Sequence, residues 1–153
     1  RSIPLSEFIL GPSKTLLQPE EILVRLEFDA LPQHGVSFEK VGHRRSLAIS
    51  TVCLATLVRL DADKRIQDLR IAIGAVGPIP ERLSDIEDLL TGIKPTPSAL
   101  RDASIRVADR VRSRSRQSYR REVLSNFVER SLVTAIAHAG LELPRLPKES
   151  QYV

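Results

Sequence analysis

The chain has 153 residues, 42% hydrophobic and 27% charged, which suits one soluble domain with a core of its own. A single cysteine, Cys53, excludes an internal disulfide, a four-cysteine iron–sulfur cluster and a cysteine-rich zinc site. No apolar run approaches the ~18 residues of a membrane span, and the excess of 23 basic over 19 acidic residues is concentrated between Arg101 and Arg121, where eight arginines stand against two aspartates.

Residues 1–19 read as an irregular lead-in, because Pro4, Gly11, Pro12 and Pro19 interrupt regular structure. The start at Arg1-Ser-Ile-Pro4 has no apolar signal region and looks like a boundary cut within a longer polypeptide. Val24, Leu26 and Phe28 then alternate with Arg25 and Glu27, which predicts a half-buried strand over 22–28. A loop at 31–35 leads to a short strand, 37–41, and a tight basic link at Gly42-His-Arg-Arg45. The β-branched and small apolar stretch 47–60 reads as a long central strand. Asp61 to Lys64 supplies a turn, and Leu69, Ile71 and Ile73 alternate with Asp68, Arg70 and Ala72 in a strand over 66–76. The two form an antiparallel hairpin.

Gly77-Pro-Ile-Pro80 ends the sheet. Ser84 and Glu87 have capping-box spacing, and Gly92 stops a short helix. Thr96-Pro97 marks a second helix start, followed by Leu100, Ala103, Val107 and Val111 at helical spacing. A third helix runs from about 118 to 139, with Leu124, Phe127, Val128, Leu132, Ala135, Ile136 and Ala139 on one face and Gly140 behind it. The tail, 141–153, reads as loose. Strands first and helices second predict an α+β fold, an antiparallel sheet of three to four strands packed on three helices.

Few residues point to chemistry. Gly11-Pro-Ser-Lys-Thr15 lacks the paired glycines and Gly-Lys step of a phosphate loop and reads as a proline-stiffened turn. His34, His43 and His138 share no metal-ligand spacing, no nucleophile elbow is present, and neither a catalytic residue nor a metal site is expected. Near the end of the last helix, His138 is placed to hydrogen-bond free carbonyls. Cys53, inside Thr51-Val-Cys-Leu-Ala55, reads as a buried, inert thiol suited to a reducing compartment. The arginine cluster is either a solvated face and subunit contact or a basic module for nucleic acid or an acidic protein; apart from Tyr119 it lacks the interleaved aromatics of nucleic-acid binders. Lys40, at the end of a strand before a glycine turn, is a surface lysine or a ligand-facing one.

These blocks occur together in one known family. Phe8 with Gly11-Pro-Ser-Lys-Thr15, Leu17-Gln-Pro-Glu-Glu-Ile-Leu23, Phe38-Glu-Lys-Val-Gly-His-Arg-Arg45 with Ala48-Ile49, Ile66 to Val76 with Pro78 and Pro80, and Ser118-Tyr-Arg-Arg-Glu-Val123 follow one another in the family's order. Over residues 8–139 the chain resembles the C-terminal domain of the medium, FAD-binding subunit of the carbon monoxide dehydrogenase and xanthine dehydrogenase family of molybdenum hydroxylases. The resemblance implies three parts: residues 1–19 as a lead-in from a missing N-terminal FAD-binding domain, 20–140 as the domain proper, and 141–153 as a tail. It implies a cytoplasmic hetero-oligomer with no membrane attachment, in which a large molybdopterin subunit oxidises substrate. A small subunit with two iron–sulfur clusters would pass the electrons to FAD. By the same resemblance Leu23 and Lys40 are flavin neighbours, whereas Arg44, Arg45 and Tyr119 to Arg121 are structural or lie at a subunit seam. The family's glycine-rich loops for the FAD pyrophosphate have no counterpart here, and Arg-Ser-Arg-Ser-Arg at 112–116 replaces a more acidic stretch.

Overall fold

A computed structural model describes residues 1–44, 48–113 and 115–144. The chain order is α1 (Leu5–Phe8), β1 (Ile9–Gly11), β2 (Lys14–Thr15), β3 (Gly35–Gly42), β4 (Ser50–Leu60), β5 (Ile66–Gly74), β6 (Glu81–Arg82), α2 (Ser84–Leu90), α3 (Pro97–Ile105), a 3₁₀ turn (Arg106–Arg110) and α4 (Gln117–His138). The last four strands form one antiparallel sheet in the order β3-β4-β5-β6, and β1-β2 is a separate small hairpin. The predicted α+β fold, with its β4–β5 hairpin, is the one observed.

The core lies between the sheet and the helices. Val52, Leu54 and Val58 of β4 and Leu69, Ile71 and Ile73 of β5 turn one way and are buried, as period-two alternation requires. They meet Leu90, Leu100, Val107, Leu124, Val128, Leu132 and Ile136 from the helices. One pair of side-chain hydroxyls meets across this core, Ser131 Oγ donating to Thr56 Oγ1 at 2.9 Å, which satisfies two buried hydroxyls with each other.

The predicted stops are seen in the backbone. Gly92 and Gly140 take φ of 82° and 89°, the left-handed conformation in which helices end on glycine. Thr96 caps α3 by accepting the Ala99 N–H. Arg120 supports the expected structural role of the Tyr119-to-Arg121 block: its guanidinium donates to the carbonyls of Thr51 and Ala75, tying the first turn of α4 to the ends of β4 and β5.

Four expectations need correction. Residues 22–28 are in no strand, and Ile22, Val24 and Phe28 are more than four-fifths exposed. The lead-in is not wholly irregular, since it holds the four-residue α1 and the β1-β2 hairpin with Ser13 at a φ of 56°. The capping box at Ser84 does not form: α2 has no side-chain cap, and Glu87 turns to Ile71 and Arg82 instead. Cys53 is half-buried rather than buried. Arg45, Leu47, Arg114 and the tail from 145 lie outside the described residues.

Candidate functional site

One face of the sheet carries the helices, and the other is open. The open face is built in rows by strand register. Val36, Leu57 and Arg70 form one row, Phe38, Ala55 and Ala72 the next, and Lys40, Cys53 and Gly74 the third. Beyond the first row the side chains are small: Leu57 of β4 gives way to Ala55 and Cys53, and Arg70 of β5 to Ala72 and Gly74. Ala55, Cys53, Ala72 and Gly74 leave a shallow, flat strip, bordered along β3 by Phe38 and Lys40.

The flatness has a local cause. A Cβ at Gly74 would sit 3.0 Å from Cys53 Sγ, so glycine keeps the third row low. Phe38 is 66% exposed, and Val36 and Lys40 beside it are exposed too. An exposed phenylalanine above a strip of alanines is an apolar surface available to a planar, largely apolar ligand, and the lysine adds a cation at its edge. Nothing on this surface resembles a phosphate cradle, so the residues present fit one side of a ring system and not a pyrophosphate.

Below the first row the face closes with charge. Arg59 lies opposite Asp68 in the β4–β5 register. His34 Nε2 is 2.9 Å from Asp68 Oδ2, with the imidazole only 5% exposed, and an Arg70 guanidinium nitrogen is 3.2 Å from the same oxygen. Partial burial disfavours the Asp68 carboxylate, but hydrogen bonds from His34 and Arg70, and the charge of Arg70, outweigh it and hold Asp68 below the ordinary carboxylate range. A carboxyl group depressed in the folded state stabilises the fold above its unfolded pKa and loses that contribution as pH falls through the folded one. Asp68→Asn is therefore expected to lower thermal stability at neutral pH, and the gap from the parent should shrink as pH falls below the ordinary carboxylate range, as read by melting curves across an acid titration.

Of the two residues singled out as flavin neighbours, Lys40 lies on the open face of β3 and Leu23 in the segment between β2 and β3 that holds no regular structure, where it is 55% exposed. No backbone–backbone hydrogen bond ties residues 22–30 to the sheet. Sequence reasoning named Lys40 but not the surface around it. The signal was present in β5, where the small residues Ala72 and Gly74 share a parity opposite to the large Ile71 and Ile73.

Four of the eight arginines of the cluster have partners inside the chain. Arg110 bridges Glu81 and Asp85 at 2.8 and 2.6 Å, Arg101 pairs with Glu129, Arg116 reaches His43, and Arg120 holds backbone carbonyls. His138 Nδ1 lies 2.7 Å from the Val36 carbonyl, so its partner is on β3 rather than on its own helix. Among the described residues there is no His, Cys, Asp and Glu group that could hold a metal ion, and no helix is long and apolar enough to cross a membrane.

Residues 37–135 match the family described as the CO dehydrogenase flavoprotein C-terminal domain. The chain is 30% identical over 153 residues to the xanthine dehydrogenase FAD-binding subunit of Escherichia coli O157:H7, an alignment spanning 94% of this chain and 51% of that protein. It is 35% identical over 108 residues to the nicotine 6-hydroxylase medium subunit of Paenarthrobacter nicotinovorans, spanning 68% of this chain and 36% of that one. The carbon monoxide dehydrogenase of Hydrogenophaga pseudoflava superposes with a TM-score of 0.78 at 26% identity, over 90% of this chain and 49% of that structure's chain. This chain thus spans about half the length of the E. coli subunit.

Proposed function

The chain belongs to the CO dehydrogenase flavoprotein C-terminal domain family, and from that membership we propose that it closes over FAD in the flavoprotein subunit of a molybdenum hydroxylase. The observation that carries this reading is the open face of the sheet, whose flat strip of Cys53, Ala55, Ala72 and Gly74 is bordered by Phe38 and Lys40 within the family match. In this reading residues 1–19 lead in from an N-terminal flavin-holding half, 20–140 form the domain and 141–153 a tail. The subunit works in the cytoplasm beside a large molybdopterin subunit and a small iron–sulfur subunit. When bound, FAD carries electrons from the iron–sulfur clusters to an acceptor.

The contribution of this chain is to the environment of the ring. Leu23 supplies an apolar edge that excludes water, and Lys40 supplies a positive charge near the isoalloxazine. A cation there stabilises the more negative, reduced form of the cofactor more than the oxidised form. The chain by itself is then expected to bind no flavin, while the complete subunit shows flavin absorbance. In the complete subunit Lys40→Ala should lower the flavin midpoint potential by on the order of 30 mV, equivalent to about 1.4 kcal/mol for two electrons. Lys40→Arg should restore most of it. A potential that does not move in a spectroelectrochemical titration would take Lys40 away from the ring.

A further inference from the structure

Strand β3 carries Phe38 and Lys40 on the open face, yet little of it is anchored by apolar burial. It is an edge of its sheet, paired with β4 on one side only among the described residues. Its side chains alternate, and those turned towards the helices belong to Gly35, Ser37, Glu39 and Val41. Of these only Val41 is a sizeable apolar residue, and it is half-buried. Burial alone therefore contributes little to seating this strand on the helical layer.

Other contacts seat it, and all of them reach α4. Gly35 has no Cβ, so the start of β3 lies directly against backbone atoms at the helix end. The Val36 carbonyl lies 2.7 Å from His138 Nδ1. Further along, Arg130 Nε donates to Glu39 Oε1 at 2.7 Å, and a second Arg130 nitrogen donates to Oε2 at 2.6 Å. The Glu39 side chain is only 19% exposed, and the Arg130 guanidinium lies 4.6 Å from the centre of the Phe127 ring. Two parallel charge-assisted bonds and a ring beneath the guanidinium fix one geometry, which a single flexible surface pair does not. Glu39 is the last of these ties before Lys40. Just beyond, the β3–β4 register slips between Val41 and Gly42.

We propose that the clasp between Glu39 and Arg130 positions Lys40: by seating β3 on α4 it holds the lysine on the open face beside the flat strip. This rests on the reading above that Lys40 stands near the flavin. The clasp acts through Lys40 and not through its own charges, which neutralise each other on the opposite face of the sheet.

That distinction supplies the test, made on the flavin midpoint potential of the complete subunit. A direct field from the two charges would move the potential in opposite directions. Glu39→Ala removes a negative charge and would raise it, whereas Arg130→Ala removes a positive charge and would lower it. Loss of positioning lowers it in both. The expected result is a lowering by both variants, each by about half or more of the Lys40→Ala shift, with nothing added when either is combined with Lys40→Ala. Arg130→Lys, which cannot form the paired bonds, should recover only part of the loss. In the chain alone, both alanine variants should speed hydrogen exchange at β3 amides by about tenfold while β5 amides stay protected. Shifts of opposite sign, shifts that persist beside Lys40→Ala, or unchanged β3 exchange would each overturn the proposal. A potential that moves with Lys40→Ala but not with Glu39→Ala removes the clasp and leaves the flavin reading standing. A potential indifferent to Lys40→Ala removes Lys40 from the flavin, and the role of the clasp with it.

Discussion

Gly35→Ala should destabilise the domain by roughly 3–4 kcal/mol, at the upper end of what overpacking costs. A Cβ built on Gly35 lies 2.0 Å from the Ala135 carbonyl oxygen, 2.4 Å from the Ala139 nitrogen and 2.8 Å from the His138 carbonyl carbon. All three are backbone atoms of the last turn of α4, so no side-chain rotation relieves the clash and the helix end must move off β3. The same movement strains the His138 Nδ1 to Val36 carbonyl bond of 2.7 Å and opens the layer containing the fully buried Leu132, Ala135 and Ile136. In a domain of this size the loss corresponds to a fall of about 10 °C in the melting midpoint. Gly11→Ala is the matching control, because nothing lies within 4 Å of its Cβ, and its midpoint should stay close to the parent. Gly35 also begins the strand that carries Phe38 and Lys40, so displacing the helix disturbs the open face as well. A parent-like melt of Gly35→Ala would mean that α4 is not seated on β3 as described.

The parts of this fold that were legible in the sequence are those governed by local rules. The β4–β5 hairpin was readable because Leu69, Ile71 and Ile73 alternate with polar or small residues, and one face of a sheet can be buried only with that period. The helix ends were readable because Gly92, Thr96 and Gly140 each perform a backbone task that few residues do as well. The errors arose where a long-range partner decided the outcome. Ile22–Phe28 has the alternation of a strand, yet a strand needs a sheet edge beside it, and alternation says nothing about whether that edge is in the same chain. Lys40 was legible as a residue but not as part of a surface, because Cys53, Ala55, Ala72 and Gly74 join it only through strand register. Register followed once the strands were paired, and the open face then emerged from parity alone.

Glu87 shows the same limit from the energetic side, and its removal is expected to cost about 3 kcal/mol, the sum of an unsatisfied buried donor and a broken charge-assisted bond. Its spacing from Ser84 fits a capping box, but the carboxylate is worth more elsewhere. Oε1 accepts the Ile71 N–H at 2.7 Å and Arg82 Nε at 2.8 Å, and Oε2 accepts an Arg82 nitrogen at 2.6 Å. Glu87 is nearly buried, at 7% exposure. Strand β6 covers β5 only at Ala72 and Ile73, so the side chain of Glu87 satisfies the Ile71 donor just past the end of that pairing and ties α2 to the sheet. Glu87→Ala leaves that N–H buried and unpaired. Glu87→Gln keeps one carbonyl acceptor but sets an amide NH₂ among donors, for an expected loss of about 1–2 kcal/mol. Arg82, whose side chain is half exposed, regains water when its partner goes, so Arg82→Ala should cost about 1 kcal/mol or less. Urea denaturation of the three variants should therefore rank Glu87→Ala above Glu87→Gln and Glu87→Gln above Arg82→Ala. If Arg82→Ala proved as damaging as Glu87→Ala, the ion pair and not the backbone bond to Ile71 would be what holds α2 against the sheet.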